Sequence, residues 1–375
     1  MRANLRERVR GLMLAALPLV ALALLLGPAR GADGLTPAQQ QAVDTAVQAE
    51  LKRQQVVGAA VGIVRGGEIV SLKGYGLANR ETSAPVTTRT LFRWASCSKP
   101  VTAVAAMQLV EKGQLDLEAD VRGLVPEFPD KGVRITLRQL LSHTGGIVHY
   151  GNGKVVRTQR TYDTPHPFES VILALDTFKE SPLVNQPGEK YSYTTHGFIL
   201  ASAVVERAGK QRFVDQVSER ILKPLGMTSM QPDYEWRDLP ERTMGYRKVG
   251  GNIVRSVDGD VSWKLGGGGY TSNIEDFARF ARGLVNRRLV REATERQMWT
   301  AQKLNSGAAT SYGLGFGVAM TGGRLHVSHG GAQEKTRTLM DLYPSEEAGI
   351  VVMCNSEFAQ PGGFVKVIEA ALAGQ

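Results

Sequence analysis

The chain has 375 residues, 42% hydrophobic and 22% charged, the proportions of an ordinary globular protein with room for one large core or two small ones. Its formal net charge is +9, but much of that excess falls before residue 32, in Arg2, Arg6, Arg8, Arg10 and Arg30 against Glu7. The remainder forms no concentrated basic run, which argues against nucleic acid as a partner.

Residues 1–31 read as an export signal. Met1 to Arg10 is cationic, Gly11 to Leu26 is an uncharged run of mostly Leu, Ala and Val, and Ala29-Arg30-Gly31 supplies small residues for cleavage. The alternative is an uncleaved anchor, the chain's one route to a membrane, since no later segment approaches the ~20 apolar residues of a spanning helix. On this reading residues 32–375 form one folded domain, secreted or periplasmic.

Thr36 to Gln54 carries a helical pattern, with Thr36-Pro37 as its start. Val57 to Arg65 and Glu68 to Tyr75 flank Gly66-Gly67 and predict a hairpin. Helical segments then dominate from about residue 100 to 285: Val101–Glu111, Leu137–Leu141, Glu169–Phe178, Gly197–Arg207 and Glu275–Val285. The glycine run Gly266 to Gly269 reads as a tight loop. Strand character returns in Gly313–Met320 and Arg324–His329 around Gly322-Gly323, then in Thr336–Tyr343 and Gly349–Met353, before a final helix over Gly363–Leu372. Strands at both ends and helices between them imply that the ends meet in one sheet and the helical middle is an insert, with a ligand cleft between the two.

Three constellations carry chemistry. Ser96 and Lys99 in Ser96-Cys97-Ser98-Lys99 share one face of a helical turn. A serine needs a base, and a lysine can serve once burial or positive neighbours make it neutral. Tyr193, in Tyr191-Ser192-Tyr193-Thr194-Thr195, stands where a turn leads into a helix. It can move protons if cationic neighbours hold its hydroxyl near ionisation. His329-Gly330-Gly331-Ala332 ends a strand, where glycines allow close backbone approach and an edge N–H can meet an oxyanion. Each has a plain structural alternative: a chance Ser-x-x-Lys, an aromatic packing residue, a bulge with a surface histidine. Neither a Gly-x-Ser-x-Gly elbow nor a His-Glu-x-x-His zinc motif occurs. His326 and His329 would point to opposite faces of a strand and could not share a metal. Cys97 and Cys354 suit two buried thiols better than a disulfide or metal pair.

Taken in order, these motifs resemble the serine β-lactamase and penicillin-binding protein family, class C-like. The segments Ile135-Thr136-Leu137-Arg138-Gln139-Leu140-Leu141-Ser142-His143-Thr144-Gly145-Gly146 and Pro187-Gly188 to Phe198 are similar to stretches of that family. Val125-Pro126-Glu127-Phe128-Pro129, Gly146 to Tyr150 and Val257 to Gly269 resemble its mitochondrial serine β-lactamase-like branch and bacterial relatives of that branch. The resemblance implies an α/β fold, an α/β/α sandwich with a mainly antiparallel sheet and a helical insert. It implies Ser96 as acylated nucleophile, Lys99 as base or relay, Tyr193 as proton carrier and His329 where relatives have lysine. The N–H groups of Ser96 and Ala332 would form the oxyanion hole, with Thr195, Gly330 and Gly331 contacting substrate. The tyrosine motif ends in Thr195 where the family usually has asparagine, which puts efficient β-lactam turnover in doubt. The expected activity is hydrolysis of an amide or peptide bond in a small-molecule or peptide substrate, without metal or cofactor. The rivals are an esterase of the same fold and a non-catalytic filament or scaffold protein. The oligomeric state is left open.

Overall fold

The structure is a computed structural model that describes residues 34–374; the expected export signal, residues 1–31, lies outside the described residues. Thr36 caps the first helix, α1 (Pro37–Gln54), by a reciprocal pair of bonds with Gln39, which satisfies two N–H groups the helix cannot use itself. The hairpin follows as β1 (Gly58–Arg65) and β2 (Glu68–Asn79), with Gly66 and Gly67 at φ 56° and 74°. Two short strands, β3 (Ala84–Pro85) and β4 (Phe92–Arg93), lead to α2 (Ser98–Glu111).

The middle of the chain is mostly helical. It comprises α3 (Leu137–Leu141), α4 (Thr195–Gly209), α5 (Phe213–Val217), α6 (Lys223–Leu225), α7 (Leu265–Gly268), α8 (Ile274–Val285) and α9 (Glu292–Met298). Between them lie β5 (Gln231–Pro232), the hairpin β6 (Tyr246–Val249) and β7 (Asn252–Arg255), and β8 (Tyr270–Ser272). The C-terminal part supplies β9 (Gly317–Thr321), β10 (Arg324–Gln333), β11 (Thr336–Tyr343), β12 (Ala348–Cys354) and α10 (Pro361–Ala373).

The two ends meet as expected. The main sheet runs β3-β2-β1-β12-β11-β10-β9, and its pairs are antiparallel, with Ala59 opposite Cys354 and Val64 opposite Gly349 across the seam. Side chains alternate across a strand, so β1 serves two cores. Ala59, Val61 and Ile63 pack with Val43 and Val47 of α1 and Phe364 and Ile368 of α10. Ala60 and Val64 belong to the larger core with Phe277, Phe280 and Ala281 of α8. Each buried Val, Leu or Phe contributes about 1.5–3 kcal/mol by leaving water, and burial on both faces explains why β1 and β12 read as continuous apolar runs. The result is the α/β/α sandwich of the β-lactamase and transpeptidase type, with the helical insert on one side.

Three elements differ from the sequence expectation. Glu169–Phe178 forms two short 3-10 turns, Pro167–Glu169 and Leu173–Thr177. There Ser170 Oγ accepts from the Leu173 N–H and the Thr177 hydroxyl donates to the Ala174 carbonyl, local bonds that compete with an α-helical ladder. Strand pairing in β9 starts at Gly317 rather than Gly313, because Gly313 N–H turns back onto the Phe316 carbonyl and Gly315 adopts φ 87°. The glycine run is a helical turn, α7, rather than a loop. A Cβ on Gly266 would lie 2.6 Å from Ser202 Cβ, and one on Gly267 2.7 Å from Thr195 Cγ2, so the glycines let this turn press against α4. Cys97 and Cys354 are free and buried, as expected.

Candidate active site

Ser96 sits in a single 3-10 turn, Ala95–Cys97, that runs directly into α2. The turn is held from three sides. Trp94 N–H donates to the Tyr270 carbonyl at 2.8 Å, Trp94 Nε1 to Ser272 Oγ at 2.6 Å, and Thr338 Oγ1 to the Trp94 carbonyl at 2.9 Å. Ala95 is forced to φ 48°, a left-handed conformation that costs an alanine energy and persists only where its surroundings hold it. Cys97 donates its thiol to the His329 carbonyl at 3.1 Å, and burial pushes that thiol up to about 12, so it is a packing group and a poor nucleophile.

Lys99 follows one turn later and is fully buried. Its Nζ lies 3.0 Å from Ser96 Oγ, 3.2 Å from Thr195 Oγ1 and 2.7 Å from the Gly267 carbonyl. Burial, and secondarily the charge of Lys264, hold the amine well below the ordinary lysine range. A neutral amine has two N–H donors and one lone pair. The Gly267 carbonyl can only accept, and Thr195 Oγ1 takes the second N–H, so the lone pair is left for the Ser96 hydroxyl proton.

Tyr193 donates its hydroxyl to Ser96 Oγ at 2.8 Å, and Lys99 Nζ lies 4.9 Å from its ring centroid. The condition of a hydroxyl held near ionisation is not met at rest: burial raises Tyr193 well above the usual tyrosine value, so it rests as a protonated phenol. The ring is backed by His143, 4.3 Å away between centroids, whose Nδ1 accepts from Thr194 N–H at 3.1 Å.

His329, placed by resemblance at a cationic position, is buried and neutral. Its Nε2 accepts from the Tyr312 hydroxyl at 2.7 Å, its Nδ1 meets the Gly330 carbonyl at 2.8 Å, and burial lowers it to about 3. Ala332 lies four residues past the last β10–β9 pair, Ser328 with Gly317, so this edge of β10 runs on with no strand beside it. Gly330 and Ala332 line the cleft with Ser96.

Two expected substrate contacts are placed differently. Thr195 is the first residue of α4, 2% exposed, and its Oγ1 accepts from Lys99 Nζ rather than lining the cleft. Gly331 turns inward: a Cβ there would lie 2.1 Å from Thr338 Oγ1 and 2.5 Å from the Trp94 carbonyl. Its lack of a side chain lets β10 approach the serine turn.

The cleft encloses about 450 Å³ and includes residues to which the sequence assigned no role. Tyr312 is carried in by the Gly313–Phe316 turn, and His149 and Tyr150 line the opposite wall, with His149 Nδ1 accepting from Thr195 N–H at 3.2 Å. Gly267 and Lys264 act from behind Lys99. The quoted Gly146–Tyr150 and Val257–Gly269 segments were the only signal for them; Tyr312 had none. No group of three metal-ligating side chains occurs among the described residues.

The chain is 28% identical over 297 residues to the mouse mitochondrial serine β-lactamase-like protein LACTB, covering 61% of this chain and 54% of that protein. It is 28% identical over 318 residues to penicillin-binding protein 4* of Bacillus subtilis, covering 78% of this chain and 66% of the relative. The chain therefore spans about half to two thirds of the length of the curated relatives it matches. The structure of EstCE1, described as a hydrolase with promiscuous acyltransferase activity, shares the fold at a TM-score of 0.75 and 20% identity, covering 90% of this chain and 99% of that one. The serine, lysine and tyrosine meet at Ser96 Oγ, residues 43–375 match the Beta-lactamase family, and the chain belongs to that family of serine hydrolases.

Proposed function

We propose that this protein hydrolyses an amide or ester bond through an acyl-enzyme on Ser96. The observation that carries the reading is Ser96 Oγ between the neutral Lys99 amine at 3.0 Å and the Tyr193 hydroxyl at 2.8 Å. In acylation the Ser96 proton passes to Lys99 Nζ as Oγ bonds to the scissile carbon. The developing oxyanion is received by the Ser96 N–H, free in the first turn of its helix, and the Ala332 N–H on the open edge of β10. Tyr193 gives its proton to the leaving group as that bond breaks. The phenolate so formed is stabilised by the new charge on Lys99 beside its ring.

In deacylation the phenolate takes a proton from water, whose oxygen attacks the acyl carbon. Ser96 Oγ then leaves with the proton stored on Lys99, and both residues return to their starting states. His329 stays neutral and orients Tyr312. With a cleft of about 450 Å³, a small molecule or the end of a peptide is the substrate. An esterase is the second reading, supported by the shared fold of EstCE1. The N-terminal signal would place the reaction in the periplasm or outside the cell.

The test is labelling with a fluorophosphonate probe. A covalent adduct on Ser96, lost in Ser96→Ala, is expected; an adduct on Ser98 or Ser192 would overturn the assignment.

A further inference from the structure

The residues lining the cleft are two serines, three tyrosines, two histidines, two glycines and an alanine. Among them only the histidines could carry positive charge, and both are held as neutral rings. His149 uses its Nδ1 lone pair for the Thr195 N–H and is held at about 4 by burial. His329 uses Nε2 for the Tyr312 hydroxyl and Nδ1 for the Gly330 carbonyl; a second proton would turn the Tyr312 bond round and put a charge on a buried ring.

The position after His329 is equally bare. Gly330 is exposed, and a Cβ there would meet nothing nearer than the Thr338 carbonyl at 3.9 Å. The space exists, but no hydroxyl fills it. The basic side chains flanking this strand are held elsewhere. Lys264 Nζ sits 4.0 Å from Glu334, and Arg337 donates to the carbonyls of Gln333 and Thr336 at 2.9 and 2.8 Å. Tyr193 and Tyr312 both pack on His143, at 4.3 and 4.7 Å between centroids, so a leaving group protonated by Tyr193 departs beside the Tyr312–His329 pair. Until Ser96 has passed its proton to Lys99, a carboxylate there would shed water and find no positive side chain on the cleft wall.

We propose that the cleft selects substrates whose leaving group carries no carboxylate: esters of neutral alcohols or phenols, or amides of neutral amines. This rests on the acyl-transfer reading and narrows it. It separates this site from one built to grip a terminal carboxylate next to the scissile bond.

The experiment compares 3-carbamoylphenyl acetate with 3-carboxyphenyl acetate on the full chain, with Ser96→Ala as the blank. Each kcat/KM is divided by the rate of the same ester with hydroxide, which removes the difference in leaving-group reactivity. The neutral ester should be favoured at least tenfold. A smaller ratio overturns the proposal and leaves the acyl-transfer reading standing. If neither ester shows Ser96-dependent turnover, that reading fails instead. The selectivity is then read by calorimetry with the two free phenols, where equal or tighter binding of 3-hydroxybenzoate than of 3-hydroxybenzamide overturns it. Joint His329→Lys and Gly330→Thr substitution should supply the missing cation and hydroxyl and lower the ester ratio at least threefold. A folded double variant with an unchanged ratio overturns the part assigned to these two positions.

Discussion

Thr195 Oγ1 lies 3.2 Å from Lys99 Nζ, inside the protein rather than on the cleft wall. In the proposed mechanism its hydroxyl serves the base and not the substrate. Thr195→Val keeps the shape and removes one hydrogen-bond partner, a loss worth about 0.5–1.5 kcal/mol. Acylation should slow by up to about tenfold with KM little changed. Steady-state kinetics on one ester decide this, and a rise in KM at constant kcat would return Thr195 to a substrate-binding role.

In the proposed mechanism Lys99 accepts a proton only because it is neutral. Arginine stays protonated under all working conditions, so Lys99→Arg should fail nearly as badly as Lys99→Ala in fluorophosphonate labelling. An Arg variant that labels at more than a tenth of the wild-type rate would mean that Lys99 supplies charge alone.

Lys264 begins the segment whose Gly267 carbonyl meets Lys99, and it is 7% exposed. Its charge is the second cause, after burial, of the lowered Lys99 value. Removing it in Lys264→Met should raise the Lys99 pKa. The amine would then be protonated at a higher pH, so the acid limb of kcat/KM moves upward, while Lys264→Arg keeps the limb near its original place. The histidines at the site do not compete for this limb above pH 5, since burial holds His149 at about 4 and His329 at about 3. A limb that stays put in Lys264→Met would exclude Lys264 from tuning the base.

Adjacent glycines should behave differently. Gly331→Ala drives a Cβ to 2.1 Å from Thr338 Oγ1 and 2.5 Å from the Trp94 carbonyl, and overpacking of this kind costs about 1–3 kcal/mol. Gly330→Ala adds a Cβ with nothing nearer than 3.9 Å. Thermal unfolding should show a lowered Tm for Gly331→Ala and a wild-type Tm for Gly330→Ala; equal Tm values would refute the assigned packing.

Much of the scaffold was legible before any coordinates. Thr36-Pro37 marked the start of α1, and Gly66-Gly67 marked the first hairpin. Val57–Arg65 and Gly349–Met353 marked strands, though their burial on both faces came from the helices that cover them. Caps, turns and periodicity are relations among neighbouring residues, so the chain states them locally. The three-residue spacing of Ser96 and Lys99 likewise places them on one face once a helical turn forms. Competition from local side-chain bonds hid the broken helix near Ser170.

The chemical state of the site was decided only by tertiary structure. Whether Lys99 is neutral depends on α4 and α7 closing over it. Whether His329 is a cation or a fixed neutral ring depends on Tyr312, brought in by a turn on another segment. Thr195 meets Lys99 with its hydroxyl while its methyl group lies against the glycine turn. Burial and charge proximity are set by whatever distant segments cover a residue, and a pKa follows that environment rather than the residue's neighbours in the chain.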